Sequence, residues 1–192
     1  MTLKSILAFA HALLESTVGP GDTVIDCTMG NGHDTLFLAN LVGEQGQVFA
    51  FDIQQDALRQ TQKLLDAHQA ADQVNLVHAS HAELTAHIPA ELYQKVRAAV
   101  FNLGYLPGGN KDICTAPDTT IYALESLLSI LAPGGLIVVV VYPGHDTGQL
   151  EASAVLNYCS NLPRELMHVV SYRILNNPNR PPFVIALEKK DT

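Results

Sequence analysis

Ile25-Asp26-Cys27-Thr28-Met29-Gly30-Asn31-Gly32-His33-Asp34 is an apolar run that delivers an acidic residue into a glycine-rich turn, and a second apolar run further on ends in Asp52. A strand, a glycine turn, the start of a helix and a later strand-end carboxylate together describe how a parallel sheet holds a nucleotide-like cofactor. The backbone approaches the ligand at the turn and the carboxylate takes ribose hydroxyls. Gly30 and Gly32 are the positions where positive φ and the lack of a side chain allow that approach.

The spacing separates two cofactor classes. A dinucleotide turn follows Gly-x-Gly-x-x-Gly and rests pyrophosphate on the helix N-terminus. Here the third glycine position, counted from Gly30, is Thr35, and the turn carries Asp26, His33 and Asp34. Carboxylates repel a pyrophosphate but attract the ammonium and sulfonium of S-adenosylmethionine.

Around this turn the chain alternates strand and helix. Residues 3–16 read as an amphipathic leading helix. Residues 23–29, 48–53, 74–79, 98–103 and 136–142 are short apolar runs suited to buried parallel strands. Residues 33–41, 55–70, 118–131 and 148–160 read as helices, with Pro133-Gly134-Gly135 closing the one before the most apolar strand. Residues 168–175 and 183–189 are strand-like with no helix between them, so the chain is expected to end in an antiparallel hairpin. The expectation is an α/β fold: a Rossmann-like, seven-stranded, mostly parallel sheet with a C-terminal hairpin, built as one domain over residues 1–192.

Composition bounds the function. The chain of 192 residues is 47% hydrophobic, enough for a full core, and no stretch reads as a bilayer span or signal peptide. A cytoplasmic protein with no membrane partner is expected. Its three cysteines, Cys27, Cys114 and Cys159, have no Cys-x-x-Cys spacing, and its histidines lack the partners of a zinc helix, so no metal is expected. A net charge of −8 argues against broad electrostatic binding to nucleic acid and leaves only a local basic patch.

The 26–34 turn resembles the first motif of class I S-adenosylmethionine-dependent methyltransferases, and Asp52 resembles their second. More narrowly, Thr28-Met29-Gly30-Asn31-Gly32-His33-Asp34-Thr35, Phe51-Asp52-Ile53-Gln54, Asn102-Leu103-Gly104-Tyr105-Leu106-Pro107-Gly108-Gly109 and Tyr142-Pro143-Gly144-His145 resemble a small bacterial family once labelled ribosomal RNA methylases. Members of that family are similar to the MnmM-type tRNA methyltransferases, which convert 5-aminomethyl-2-thiouridine at the wobble position to its methylaminomethyl form. The resemblance implies S-adenosylmethionine as cofactor and a tRNA anticodon stem-loop as partner.

It also implies roles. Asp26, Asn31 and Asp34 would hold the methionine portion, within a motif that includes Thr28, Gly30 and Gly32. Asp52 would take the ribose, and Ile53, Gln54, Ser80 and His81 would flank adenine. Asn102 and Tyr105 resemble part of the acceptor box of amino-group methyltransferases, with Asn102 also beside the cofactor. Tyr105 or Tyr142 would orient the amine and His145 would accept its proton. Lys111 and Arg180, with Arg173 as a third, would form a basic rim for RNA. Ribosomal RNA or a small amine as acceptor, a nicotinamide oxidoreductase and a noncatalytic nucleoside-binding domain remain the competing readings. Oligomeric state, including a homodimer, is left open by the sequence.

Overall fold

The computed structural model describes residues 2–110 and 112–191, so the expectation for Lys111 lies outside the described residues. Strands β1 (Thr23–Asp26), β2 (Gln47–Asp52), β3 (Val74–His78), β4 (Val96–Asn102), β5 (Leu131–Val141), β6 (Met167–Tyr172) and β7 (Phe183–Lys189) form one sheet in the order β3-β2-β1-β4-β5-β7-β6. The first five strands run parallel, and β7 inserts antiparallel between β5 and β6. The expected seven-stranded sheet with its terminal hairpin is present.

Both faces are covered, which is why the strands read as continuous apolar runs. On one face Ile25, Phe51, Phe101, Ile137 and Ile185 pack with α5 (Pro117–Ile130) and α6 (Asp146–Ser160). On the other, Val24, Val48, Val100, Val138 and Val184 pack with α1 (Ile6–Thr17), α2 (His33–Val42) and α3 (Gln55–Ala67). A short α4 (Leu84–His87) follows β3. Each fully buried aliphatic or aromatic side chain contributes about 1.5–3 kcal/mol, so the central strands carry most of the core's stabilisation.

Several boundaries differ from the sequence expectation. Pro133-Gly134-Gly135 lies inside β5 rather than between helix and strand. The ladder with β4 runs Val96 to Leu131 and resumes at Ala98 to Leu136, so these residues form an irregularity, with Gly134 at φ +65°. Helix α3 ends at Ala67 rather than Ala70, with Gln69 already left-handed, and β6 ends at Tyr172 rather than Leu175.

Strand order reverses between β1 and β4: the chain fills one side of β1 first and then returns to the other. The carboxyl ends of these two strands diverge into separate connections there, and a crevice opens between them.

Candidate active site

A cleft of about 1200 Å³ opens at those carboxyl ends. Single-ligand pockets run about 300–1,000 Å³, so this one has room for a cofactor and an acceptor nucleotide together. Its wall includes Thr28, Gly30, Asn31 and Asp34 after β1, Asp52, Ile53 and Gln54 after β2, and Ser80 and His81 after β3. Asn102 and Tyr105 follow β4, Tyr142 and His145 follow β5, and Arg180 belongs to the β6–β7 loop.

Hydrogen bonds between motifs hold the floor together. The Gly30 N–H donates to Asp52 Oδ2 at 3.1 Å and the Gln54 N–H to Asp52 Oδ1 at 2.8 Å. Burial raises the Asp52 carboxyl above the ordinary carboxylate range, with those backbone donors opposing the shift. Asn102 donates its backbone N–H to Thr28 Oγ1 at 2.7 Å, which gives a structural reason for a hydroxyl in the glycine turn. Asn31 Nδ2 donates to the Pro107 carbonyl at 3.2 Å and ties the turn to the loop after β4.

That loop is itself anchored. Tyr105 and Cys114 bridge antiparallel, Gly104 N–H donates to Thr115 Oγ1, and Thr115 and Thr120 hydroxyls donate to the buried Glu151 carboxylate of α6 at 2.6 and 2.7 Å. Glu151 is a positioning residue that the sequence reading did not find, because only the packing of α6 on α5 brings it there.

Two expected cofactor residues do not reach the cleft. Asp26 is buried behind the turn, where it accepts the Thr35 hydroxyl at 2.6 Å and the Thr28 N–H at 3.1 Å. Burial, reinforced by the nearby Asp34 charge, pushes its carboxyl up to about 7. Gly32 is required by packing rather than by a ligand: at φ +84°, a Cβ there would sit 2.8 Å from Thr61 Oγ1 of α3 and 2.9 Å from its Cα. Gly30, at φ +51°, does line the cleft.

Asp34 faces the acceptor side instead of standing free for a methionine ammonium. Its Oδ2 accepts from Asn102 Nδ2, and its Oδ1 lies 2.7 Å from His11 Nε2. The Tyr142 hydroxyl donates to Asn102 Oδ1 at 3.4 Å, and burial, then the Asp34 charge, raises its phenol above the ordinary value. His11 comes from α1 and was missed as a site residue; its signal was a histidine in the apolar stripe Leu7, His11, Leu14.

The histidines have defined tautomers. His81 is 8% exposed, and its Nδ1 donates to the Cys27 carbonyl at 3.1 Å, so the buried Nε2 is a bare acceptor. Desolvation lowers its pKa and keeps the ring neutral. In His145 the Gly148 N–H donates to Nδ1 at 3.0 Å, capping α6. With Nδ1 used as an acceptor, the neutral ring carries its proton on Nε2 and presents a donor. The expected proton acceptor is therefore committed to a helix cap.

Arg173 does not line the cleft; its guanidinium lies 5.0 Å from the Phe183 ring centroid. Among the described residues, the unpaired buried side-chain polar atoms are Asn31 Oδ1, His81 Nε2 and His145 Nε2, and all three residues line this cleft. Buried polar groups are normally satisfied, so their convergence marks a place built for a polar ligand. The His81 acceptor beside the exposed Ile53 side chain fits the amino edge and face of an aminopurine, and Asn31 and His145 lie on other parts of the same cleft. No group of three His, Cys, Asp or Glu residues that could hold a metal ion occurs among the described residues, and no helix there is long and apolar enough to cross a membrane.

Comparison with known proteins finds relatives of the same fold. The family model described as "Putative rRNA methylase" matches residues 48–188. A chloroplastic tRNA (mnm(5)s(2)U34)-methyltransferase from Arabidopsis thaliana is 40% identical, over 98% of this chain and 71% of that protein. Among solved structures, a Clostridium thermocellum protein described as a "putative rRNA-methylase" superimposes with a TM-score of 0.95 at 41% identity, covering 98% of this chain and 100% of that one. A Streptococcus mutans protein described as a "putative methyltransferase", in complex with SAH, gives 0.88 at 34% identity, covering 98% and 99%.

Proposed function

The chain belongs to the rRNA methylase family of S-adenosylmethionine-dependent methyltransferases, and on that premise we propose that it methylates the amine of 5-aminomethyl-2-thiouridine at the tRNA wobble position. The observation that carries this reading is the 40% identity, across 98% of the chain, to a tRNA (mnm(5)s(2)U34)-methyltransferase. The acceptor side of the cleft supports it: an amide and a phenol stand beside a carboxylate, a set that suits an amine.

Bound in the cleft, S-adenosylmethionine supplies an electrophilic methyl group on a sulfonium. Asp52 receives the ribose diol on lone pairs that Gly30 and Gln54 leave over. His81 Nε2, a buried acceptor, would accept a hydrogen bond from the adenine amino group, and Ile53, 54% exposed in the cleft, would cover the purine. Gln54 and Ser80 flank that purine, while Asn31 and the Gly30 backbone border the methionine portion. Thr28 and Asp26 brace the turn from below.

Asn102 Oδ1 accepts an N–H of the incoming amine. Its amide is fixed by Asp34 and by the Tyr142 hydroxyl, so the nitrogen lone pair is aimed rather than free to rotate. Tyr105 closes the acceptor side, and the His145 Nε2–H donates to an acceptor on the base. The anticodon stem-loop approaches over the β6–β7 loop, where Arg180 contacts phosphate, and the compartment proposed for this chain is the cytoplasm. Incubation of the purified protein with S-adenosylmethionine and separate tRNA and ribosomal RNA fractions tests the reading. It predicts S-adenosylhomocysteine formation with tRNA and its loss in Asn102→Ala; formation with ribosomal RNA alone would overturn the proposed acceptor.

A further inference from the structure

An aliphatic amine arrives largely as an ammonium ion, and it must lose a proton before its nitrogen can attack. His145 is poorly placed to take that proton, because its only acceptor nitrogen caps α6. Around the acceptor side a different arrangement is complete. Asn102, proposed to meet the amine, donates to Asp34 Oδ2, and Asp34 Oδ1 lies 2.7 Å from His11 Nε2. The His11 ring is stacked on Phe37 with centroids 4.1 Å apart, and its side chain is 35% exposed. One end of this chain of contacts lies at the acceptor site and the other meets water.

We infer that the Asp34–His11 pair accepts the proton that the substrate ammonium releases and passes it to solvent. The inference rests on the proposed amine acceptor. One N–H bond of the ammonium breaks and its electron pair stays on nitrogen as the attacking lone pair. The proton passes to the Asp34 carboxylate, with the Asn102 amide only holding the nitrogen in place, and from Asp34 Oδ1 to His11 Nε2, until water at the exposed ring takes a proton from the imidazolium. After methyl transfer the product leaves as a secondary ammonium, so one proton is released per turnover and no other reactant is needed.

The groups around His11 support the assignment. Asp34 faces it from α2 and Glu15 from its own helix; both raise its pKa, the hydrogen bond to Asp34 most, against an opposing desolvation. Beyond Asp34 lie Asp26 and the Tyr142 hydroxyl, and both feel the Asp34 charge. The hydrogen bond to Asp34 raises the imidazole pKa above its ordinary value, which makes the ring a better proton acceptor.

His11→Gln tests this, because an amide can still hydrogen-bond Asp34 but cannot carry the proton. Single-turnover rates would be measured from pH 6 to 10 with saturating S-adenosylmethionine and tRNA bearing 5-aminomethyl-2-thiouridine, after calorimetry has shown unchanged cofactor affinity. The wild-type rate should rise through a limb above about 6.5 and level off. The variant should be about 10- to 100-fold slower at pH 7 and should close that gap as rising pH supplies free amine. His11→Ala should regain rate when free imidazole is added. A loss of the same size at every pH, or no loss, overturns the inference while leaving the acceptor assignment standing. A wild-type protein that never makes the methylaminomethyl product overturns both.

Discussion

Asp52 Oδ2 accepts the N–H of Gly30 at 3.1 Å, so the carboxylate at the end of β2 and the glycine turn after β1 are one structure. Removing the carboxylate withdraws a ribose acceptor and loosens the turn that borders the methionine portion. Asp52→Ala should weaken S-adenosylmethionine binding about 10- to 100-fold, the equivalent of losing charge-assisted hydrogen bonds of about 1.5–3 kcal/mol. Asp52→Asn, which keeps one acceptor oxygen, should fall between. Calorimetry measures both, and an unchanged affinity in a folded Asp52→Ala would take this residue out of the cofactor site.

The two turn glycines should separate by assay. Gly32→Ala drives a Cβ against Thr61 at φ +84° and should destabilise the protein by about 2–4 kcal/mol. Gly30→Ala meets Leu106 Cδ1 at 3.5 Å and the Thr28 carbonyl at 3.8 Å, both ordinary contacts, so its cost is the left-handed backbone, about 1–2 kcal/mol. Denaturant unfolding ranks them. Equal losses would mean that α3 yields at Thr61.

Asp26 makes stability fall with rising pH. Its carboxyl titrates near 7 in the fold against 3.8 when unfolded, so the folded chain holds a proton that the unfolded chain has released. The stability this contributes is complete below about pH 4 and is lost as pH rises through about 7. Asp26→Asn keeps neutral partners for Thr28 and Thr35. Relative to wild type it should gain about 2–3 kcal/mol, roughly 4–12 °C in Tm, between pH 5 and pH 8. A gap that does not change with pH would show that Asp26 is ionised throughout.

Arg180 lines the cleft from the β6–β7 loop, whereas Arg173 is engaged with Phe183. Arg180→Glu should raise the KM for tRNA and reduce the slope of its salt dependence by about one, with cofactor affinity within about twofold. Arg173→Gln should leave the salt slope alone. Steady-state kinetics at two salt concentrations decide it: identical tRNA parameters for Arg180→Glu and wild type would move the RNA to another face.

The sheet was legible because each buried strand had to be a short apolar run and each turn a cluster of glycine, proline or asparagine. Pro133-Gly134-Gly135 misled for the same reason. These residues look like a turn, yet a strand paired on both sides absorbs them as an irregularity, and pairing between β4 and β5 is not a local property. Cleft residues at strand ends, such as Asp52 and Asn102, could be found from topology alone. The direction of a side chain could not: Asp26 turns inward because Thr35 on the next helix offers a hydroxyl, and Gly32 is dictated by Thr61. His11 stayed hidden because only the packing of α1 across the sheet brings it to Asp34.

The central claim concerns one nucleoside, and mass analysis of wobble uridines measures it directly. In tRNA from cells that contain this protein, 5-methylaminomethyl-2-thiouridine should be present. In cells lacking it, 5-aminomethyl-2-thiouridine should accumulate in its place, one methyl group lighter, and purified protein with S-adenosylmethionine should restore the methyl group in vitro. An identical set of wobble nucleosides with and without the protein would contradict the account.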